Sequence, residues 1–387
     1  MTTAAYDVVI NGAGIVGAAL VLALRDSGLR LALVEPNPPA VPDSAWDSRI
    51  YAISPSSVAF LENLAVWQNL DQQRIGPVYH MDIRGDSGAQ LNFDAYREGL
   101  PQLAWIIESN RLQHGLWAAL QEQDNLTIFA QTRAQQLAWS ASAAHLVLDD
   151  GQELIGQLIV GADGQQSWLR EQAGIVSRRE DYRQRGVVAN FTTEQAHRGI
   201  ARQWFRADGV LAWLPLAGNA ISMVWSTDVA HSQALLAASG VDLASEVAGA
   251  GGHSLGDLTQ IGPVADFPLS LNRVATLIKP SLALIGDAAH GVHPLAGQGM
   301  NLGLRDAQTL AQVLLQRGAA QCGDLALLQR YARARQGDIV AMQAVTNGLH
   351  HLFNNHNPLL AGLRNIGMNL TNQISPLKSW LVRQALS

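Results

Sequence analysis

Three glycines and one acid near the start of the chain have the types and spacing of a dinucleotide-binding site. Gly12, Gly14 and Gly17 directly follow Tyr6–Ile10, an apolar segment that predicts a buried strand. Gly12 permits a tight turn, Gly14 lets the backbone approach a pyrophosphate, and Gly17 lets the following helix pack closely on the strand. Glu35 ends the next predicted strand, where its carboxylate can accept hydrogen bonds from both ribose hydroxyls and disfavours a 2′-phosphate. This order of elements predicts a dinucleotide site, although the motif alone does not choose between FAD and NAD.

Two later strand ends carry an acid among small residues, and they favour FAD. A short apolar strand runs into Gly161–Gly164, which includes Asp163. Another apolar strand ends at Gly286 and Asp287. Because ligands of parallel sheets bind outside the carboxyl ends of the strands, Asp287 can reach a ribityl hydroxyl or a phosphate-bound water there.

The segment that follows could border a flat ring. Gly297 and Gly299 let the backbone come against an isoalloxazine, and a helix that begins near Asn301 would aim the positive end of its dipole at the ring. Such a helix N-terminus stabilises the negative charge that a reduced flavin develops. No catalytic acid or base is assigned. The candidates for a catalytic role are His290, His293 and Pro294.

Asp287, His290 and His293 also have a spacing that metal ligands adopt on a helix. Pro294 and the adjoining glycines predict a loop instead, and no cysteine or second acid supports a metal site. The sequence therefore predicts no bound metal.

Together these motifs resemble the class A FAD-dependent aromatic monooxygenases, to which p-hydroxybenzoate hydroxylase belongs. Within that class they look like the ubiquinone-biosynthesis hydroxylase family. The most specific match is the run HPLAGQGMNLGLRD over residues 293–306. Residues 47–53, residues 106–113 and the pattern of Gly161–Gly164 followed by Arg170 also look like this family. With a similar C-terminal segment, the resemblance spans nearly the whole chain.

The resemblance implies roles for individual residues. Glu35 would bind the adenosine ribose, Arg49 would lie near the flavin, and Arg111 would lie near the pyrophosphate. Asp163 would belong to a motif that contacts FAD and NAD(P)H, and Asp287 would hold the ribityl chain. The implied cofactor-binding set is Gly12, Gly14, Gly17, Glu35, Arg49, Arg111, Asp163, Gly286, Asp287, Pro294, Gly297, Gly299, Met300 and Asn301.

The same resemblance places Pro294 and the backbone of Gly297–Asn301 along the flavin ring. Two positions depart from the family pattern. Asn11 stands where the family often has a small residue, and Ser109 stands where Asn is common. We expect both departures to affect only details of the pocket.

The resemblance also implies a reaction. NAD(P)H would reduce FAD, reduced flavin and O2 would form a C4a-hydroperoxyflavin, and an electron-rich phenol would attack its distal oxygen. The substrate would be a polyprenyl-phenol intermediate of ubiquinone biosynthesis. Two alternatives stay open: another flavin oxidoreductase, or a non-catalytic FAD-binding subunit of a biosynthetic complex. The hydroxylated ring position, the choice between NADH and NADPH, and the oligomeric state also stay open.

The predicted fold class is α/β. We expect a Rossmann-like FAD-binding domain of the glutathione-reductase type, a β-sheet substrate domain and C-terminal helices. Residues 210–214 and 221–225 predict strands of the substrate domain, and residues 230–250 predict helical structure. The predicted divisions are a discontinuous FAD-binding domain over 1–75, 101–180 and 275–330, a substrate domain over 76–100 and 181–274, and a helical region over 331–387.

Composition limits the other possibilities. The 387 residues are 48% hydrophobic and 15% charged with a net charge of −6, which predicts a globular enzyme and gives no sign of nucleic-acid binding. The single cysteine, Cys322, allows no internal disulfide and fits a reducing compartment. The apolar run Val8–Leu24 has no Lys or Arg before it and is interrupted by glycines, so it predicts neither a signal peptide nor a membrane span. We therefore expect a cytoplasmic protein.

The end of the chain could meet a membrane surface. Apolar helical faces and several basic residues occur over 349–386, and a substrate with a polyprenyl tail would favour docking on the inner membrane or on partner enzymes. The alternative is ordinary packing onto the FAD-binding domain. Arg330, Arg333 and Arg335 form a basic run that could touch a membrane or NADPH, although a solvated helix face is the favoured interpretation.

Overall fold

The computed structural model describes residues 3–85, 88–140, 143–206, 208–291 and 298–353. Within these ranges the chain forms two eight-stranded sheets, one three-stranded sheet and eight α-helices. The helices are α1 (Ile15–Ala23), α2 (Pro55–Asn63), α3 (Ser109–Leu120), α4 (Trp168–Gln172), α5 (Val229–Ala237), α6 (Gly240–Ala250), α7 (Gln298–Leu315) and α8 (Leu325–Phe353).

The first large sheet has a parallel centre that is buried on both faces. Its strands are β1 (Thr3–Asn11), β2 (Leu31–Glu35), β8 (Leu126–Ala130), β9 (Ala134–Trp139), β10 (Ala144–Leu148), β11 (Glu153–Gly161), β17 (Ile278–Lys279) and β18 (Leu282–Leu284). The order β18-β11-β1-β2-β8 is parallel throughout, whereas β17 and the β9–β10 hairpin pair antiparallel. Helices cover the faces of a parallel sheet, which explains why Val8–Ile10 of β1 and Leu31–Val34 of β2 are continuous apolar runs.

Glycine allows α1 to approach this sheet. A Cβ atom built on Gly17 would lie 2.0 Å from the backbone oxygen of Gly12, a separation that no real pair of atoms tolerates. The helix begins directly after Gly14 and is buried along most of its length, so it packs between the sheet and the helices α3 and α7. The predicted strand, glycine turn, helix and second strand are confirmed.

The second large sheet is mostly antiparallel. Its strands are β5 (His80–Arg84), β6 (Gln90–Asp94), β12 (Ser177–Thr193), β13 (Ile200–Arg206), β14 (Gly209–Pro215), β15 (Ala220–Asp228), β16 (Leu258–Val274) and β19 (His290–Gly291). Their order is β19-β16-β12-β15-β14-β13-β5-β6, and only β13 and β5 run parallel. The strands predicted over 210–214 and 221–225 are confirmed as β14 and β15.

The two faces of this sheet have different neighbours because side chains alternate along each strand. Trp213 and Trp225 pack with the buried apolar residues of α5 and α6. Ala201 and Ala220 belong instead to a cluster with the small third sheet. That sheet consists of β3 (Ile50–Ile53), β4 (Gly76–Val78) and β7 (Ala104–Glu108) in the order β3-β7-β4.

The helical region predicted over 230–250 is confirmed, and it consists of two helices. The chain forms α5 and α6 with a break at Ala238 and Ser239. Ser239 is the N-cap of α6, because its hydroxyl accepts a hydrogen bond from the backbone N–H of Asp242 at 3.2 Å. A serine cap in β conformation competes with a continuous helix, and the Ser-x-x-Asp signal was available in the sequence.

Helix α8 ties the two large sheets together through buried polar side chains. The Tyr331 hydroxyl donates to the backbone oxygen of Leu284 at 2.8 Å. Gln343 donates to the backbone oxygens of Asn272 at 2.9 Å and Gly291 at 3.3 Å. No helix of the described ranges is both long and apolar enough to cross a membrane. The residues from 354 onward, on which the C-terminal prediction partly depends, lie outside the described ranges.

The favoured interpretation of the basic run on α8 is wrong for one residue. Arg330 and Arg333 are exposed, as expected for a solvated helix face. Arg335 is only 3% exposed and donates to the carboxylate of Asp306 at 2.8 Å. A buried guanidinium needs such a partner, and the partner comes from α7, which local sequence patterns cannot show.

We predict that Tyr331→Phe lowers the free energy of unfolding by about 1–2 kcal/mol, because the Leu284 oxygen loses its buried donor. Urea denaturation followed by circular dichroism measures the change. Tyr96→Phe is the matched control, since Tyr96 is 92% exposed. Equal midpoints for the two variants would contradict a role of this hydrogen bond.

Candidate cofactor-binding and active site

Parallel pairing brings four motifs to one edge of the first sheet. Strands β18, β11, β1 and β2 are neighbours, so their carboxyl ends lie side by side. The backbone continues this pairing past the strands. Ile285 donates to Gly161 at 3.0 Å, Ala162 donates to Asn11 at 2.9 Å, and Gly12 donates to Val34 at 2.8 Å. Ligands of open parallel sheets bind at such an edge.

The first of these turns, residues 12–14 between β1 and the start of α1, has the shape of a phosphate-binding loop. Gly12 has φ +106°, which favours glycine, and a Cβ there would lie 2.5 Å from the Ala162 oxygen. Gly14 differs, because a Cβ built on it meets no atom of the described residues within 4 Å. The first turn of α1 has no side-chain cap and no acid. Its free N–H groups and positive dipole end therefore face open space beside Gly14, as an anion requires.

Glu35 is fixed next to this turn. It is 8% exposed, and its carboxylate accepts hydrogen bonds from the backbone N–H of Ala13 at 2.6 Å and of Asn37 at 2.8 Å. These bonds hold the acid at the end of β2, beside the N-terminus of α1. Binding of the adenosine ribose by Glu35 stays a prediction.

The second turn is formed by residues 161–164 at the end of β11, and Asp163 in this turn binds two neighbouring segments. Its carboxylate accepts hydrogen bonds from the side chain of Asn11 at 3.2 Å and the backbone of Leu169 at 3.0 Å. Asn11, which departs from the family pattern, thus has a structural role. Burial raises the pKa of Asp163, and its Oδ1 atom has no partner among the described residues. This unpaired buried acceptor is consistent with a further donor at the site.

Arg170 joins the second turn to the third turn, which is formed by residues 286–290 after β18. Its buried guanidinium donates to the backbone oxygens of Ala288 and Gln165, each at 3.0 Å. One end of this link follows Asp163 and the other follows Asp287. Arg170 therefore fixes the two acid-bearing turns relative to each other.

Asp287 is presented outward from the third turn. Gly286 before it has φ +60°, and the residues on both sides of Asp287 are buried while Asp287 itself is exposed. Burial raises the pKa of Tyr51, and the carboxylate of Asp287 adds to this effect. The guanidinium carbon of Arg49 lies 5.5 Å from the centre of the Tyr51 ring. Arg49, Tyr51 and Asp287 are thus brought to one place, although β3 and β18 are far apart in sequence.

Helix α7 begins at Gln298 and is attached to this region by Asn301. The Asn301 side chain accepts from the backbone N–H of Ser54 at 2.9 Å and donates to the Ala52 oxygen at 2.9 Å. It is 1% exposed, so its amide serves to join α7 to β3. Gly299 and Met300 lie in the first turn of α7, where the helix dipole is positive. His293, Pro294 and Gly297 lie outside the described residues.

The segment of residues 47–49 is held in place by the buried carboxylate of Glu108. Glu108 is fully buried and accepts from Arg74 at 2.7 Å and from Arg111 at 2.9 Å. It also accepts from the backbone of Asp47 at 2.9 Å. Arg111 further donates to the Asp43 oxygen at 2.7 Å. A contact of Arg111 with a pyrophosphate stays a prediction.

His290 faces the interior. It is 1% exposed, and its Nε2 atom lies 2.5 Å from the Oδ2 atom of Asp306. Burial alone would raise the pKa of Asp306, but His290 and Arg335 hold it below its ordinary value. The geometry favours a positioning role for His290, and its catalytic role stays an untested prediction. The described residues contain no group of three side chains able to hold a metal ion.

Sequence reasoning missed Asp306, Arg335 and Glu108. One signal was present. Leu302, Asp306 and Leu310 are spaced by four residues on α7, and all three are fully buried. An acid in an apolar row of a helix must be buried against a cation or several donors, so the spacing alone could have predicted a partner.

These features fit FAD. The open cradle at Gly14 can take a pyrophosphate, Glu35 can accept from a ribose, and the outward carboxylate of Asp287 can accept from a ribityl chain. The N-terminus of α7 supplies positive potential beside Tyr51 and β3. The site and the two-sheet fold define a flavoprotein.

Comparison with known proteins makes the assignment specific. The model of the FAD binding domain family matches residues 5–347. The ubiquinone hydroxylase UbiL of Rhodospirillum rubrum is 34% identical over 98% of this chain and 89% of its own length. The 3-demethoxyubiquinol 3-hydroxylase of Escherichia coli is 34% identical over the full length of both chains. The chain belongs to the FAD binding domain family and, within it, to the ubiquinone-biosynthesis hydroxylases.

A solved structure supports the fold. The p-nitrophenol 4-monooxygenase PnpA of Pseudomonas putida superposes with a TM-score of 0.80 over 100% of this chain and 99% of that one, at 17% identity. The predicted α/β class, with a Rossmann-like FAD-binding sheet and a second β-sheet, is confirmed.

The glycine turn predicts different results for two similar substitutions. Gly14→Ala should leave the free energy of unfolding nearly unchanged but weaken FAD binding by about tenfold or more, because its methyl group enters the space for the pyrophosphate. Gly17→Ala should lower the free energy of unfolding by about 2 kcal/mol or more, because its methyl group overlaps Gly12. Urea denaturation of the flavin-free protein and fluorescence titration with FAD separate the two effects. Unchanged FAD affinity in a folded Gly14→Ala variant would contradict the cradle.

Proposed function

We propose that the protein is an FAD-dependent monooxygenase that hydroxylates the aromatic ring of a polyprenyl-phenol intermediate in ubiquinone biosynthesis. The observation that carries the proposal is the single sheet edge that joins Gly14, Glu35 and Asp287, in a chain 34% identical over its full length to a demethoxyubiquinol hydroxylase. The balanced reaction consumes O2, NAD(P)H and a proton, and it yields the hydroxylated ring, water and NAD(P)⁺.

The residues at the sheet edge hold and orient the cofactor. The N–H groups of α1 bind the pyrophosphate, Glu35 accepts from the ribose, and Asp287 accepts from the ribityl chain. Bound FAD supplies the reductive activation of O2. The N-terminus of α7 would stabilise negative charge on the ring system. Asn301 keeps that helix end against β3 through its two hydrogen bonds.

The substrate ring is proposed to lie against the second sheet, on the face that points away from α5 and α6. Leu214 and Ala220 on this face pack in the same cluster as Ile50 and Ala52 of β3. An apolar wall next to the Arg49–Ala52 segment suits an apolar substrate and excludes water, so that O2 reduced at the site would be used on the substrate ring and not released as hydrogen peroxide. Domain boundaries at 76–100 and 181–274 are part of this proposal.

The side chain of Asn190 links this wall to the cofactor side. It is 1% exposed and donates to the backbone oxygen of Asp47 at 2.9 Å. Asp47 in turn accepts from the backbone of Arg49 at 2.9 Å and from that of Asn110 at 3.1 Å. The second sheet, β3 and α3 are therefore aligned through one residue. A shift of about 1 Å between substrate and cofactor would strongly lower the rate of such a reaction.

We predict that purified protein shows bound flavin absorbance and consumes O2 and NAD(P)H together when a prenylated phenol is added. Product formed under ¹⁸O2 should carry one labelled atom. NADH and NADPH are compared in parallel. Turnover without O2 would instead indicate another flavin oxidoreductase, and bound FAD without turnover would indicate a non-catalytic subunit of a biosynthetic complex.

We also propose peripheral attachment to the inner membrane through the end of the chain. Val340 and Val345 on the outer side of α8 are 57% and 56% exposed, and Arg330 and Arg333 are exposed on the same helix. Apolar and basic side chains on one helix suit an anionic lipid surface. A water-facing enzyme would reach a membrane-dissolved substrate in this way.

Replacement of both Val340 and Val345 by Ser should weaken co-sedimentation with anionic liposomes and leave FAD affinity unchanged, because both side chains are exposed and the proposed cofactor contacts precede residue 307. Wild-type protein and liposomes of neutral lipid are the controls. Undiminished liposome binding by this variant would contradict the attachment.

A further inference from the structure

Both ends of the third turn are bound to one buried oxygen atom. The Oδ2 atom of Asp306 accepts from the backbone N–H of Gly286 at 2.9 Å and lies 2.5 Å from Nε2 of His290. Asp287 lies between these two anchors and is exposed, while Gly286 and Ala288 are buried. One carboxylate from α7 therefore holds the turn on both sides of Asp287, together with the hydrogen bond from Arg170 to the Ala288 oxygen.

The same turn is packed where α1 meets α7. A Cβ on Gly286 would lie 3.3 Å from Val16 of α1, and a Cβ on Gly303 would lie 2.7 Å from Val16 and 3.3 Å from the Cα atom of Gly286. The turn is thus enclosed by the helix that receives the pyrophosphate and the helix that carries Asp306. Any displacement of the turn changes the position of Asp287 relative to the N-terminus of α1.

The second oxygen of the carboxylate is used by α8. Oδ1 of Asp306 accepts from Nε of Arg335 at 2.8 Å, and Arg335 also donates to Asp338 at 2.6 Å. Asp306 is fully buried, whereas the Asp338 side chain is 49% exposed. One carboxylate thereby joins the turn, α7 and α8 with charge-assisted hydrogen bonds, which are stronger than neutral ones.

His290 depends on Asp306 for its orientation. Its Nδ1 atom is buried and has no hydrogen-bond partner among the described residues. Among the described residues, the ring is therefore held by a hydrogen bond at Nε2 only. Loss of the Asp306 charge would weaken the hydrogen bonds to the imidazole and to the Gly286 N–H at the same time.

We propose that Asp306, acting through Gly286 and His290, is a positioning residue that sets Asp287 for the ribityl part of FAD. This inference rests on the proposed function, in which Asp287 accepts from the ribityl chain. Asp306 itself touches neither cofactor nor substrate. Its effect is therefore specific to the flavin end of the cofactor, and the adenosine end, held by α1 and Glu35, is independent of it.

The test compares two ligands on the full-length, flavin-free protein. FAD contains the ribityl chain and the isoalloxazine ring, whereas ADP contains only adenosine and the pyrophosphate. Asp306→Asn should weaken FAD binding by roughly ten- to hundredfold, the range for loss of hydrogen bonds to a charged group, measured by flavin fluorescence. ADP affinity, measured by calorimetry, should change by less than about twofold because the two ends are independent sites.

Asp338→Asn is the matched control, since it removes the other acid bound to Arg335 and leaves the Asp306 carboxylate in place. Its FAD affinity should equal that of the wild type. If Asp306→Asn does not fold, as judged by circular dichroism, His290→Gln provides the second variant, because it keeps the Asp306–Arg335 pair. The same selective loss of FAD affinity is expected.

An unchanged FAD affinity in a folded Asp306→Asn or His290→Gln variant would overturn the inference. Equal losses of FAD and ADP affinity would also overturn it, because they indicate general damage to the fold. Wild-type protein that binds ADP but no FAD would instead overturn the proposed function, so the two failures are distinguishable.

Discussion

Parallel hydrogen bonding between β18, β11, β1 and β2 is the constraint on which the site depends. Parallel neighbours end on the same side, so residues from four distant parts of the chain meet at one edge. The pairing continues past the strand ends through the backbone of Gly12, Ala162 and Ile285. The turns are consequently part of the sheet and do not behave as free loops. A cofactor that spans all of them gains pre-organised contacts at little cost in conformational entropy.

Close packing around glycine transmits this constraint to the helices. Gly17 brings α1 onto the sheet, and Gly303 brings α7 against α1 and the third turn. Buried carboxylates then fix the positions of two segments that packing alone does not determine. Glu108 organises the Arg49 segment, and Asp306 organises the segment that carries Asp287. Each of these acids is completely buried and fully paired with donors, which is the condition under which a buried charge is tolerated.

Sequence predicted the local features of the site well because their causes are local. A tight turn needs Gly12 and a close helix needs Gly17, and the position of Glu35 at the end of the next strand follows from spacing alone. The helical character of residues 230–250 is equally local, and so is the cap at Ser239 that divides this region into α5 and α6.

The charged network could not be derived in the same way. The spacing of Arg330, Arg333 and Arg335 predicts a solvated basic run, because the partner of Arg335, Asp306, is contributed by another helix and is revealed only by tertiary packing. His290 drew attention as an ionisable residue near the predicted flavin, yet its ring is turned inward to Asp306. Asn11 and Asp163 show the same limit, since their mutual hydrogen bond joins residues 152 positions apart. Such pairs follow from strand order, which periodicity does not encode.

Hydrogen–deuterium exchange with and without FAD tests most directly whether one ligand engages all of these turns. Mass spectrometry should show slower exchange on FAD addition in three separate segments at once, covering 11–17, 162–170 and 286–291, with a common dependence on FAD concentration. Slower exchange in the first segment only, or at different FAD concentrations in the three segments, would contradict a single cofactor bound across the sheet edge.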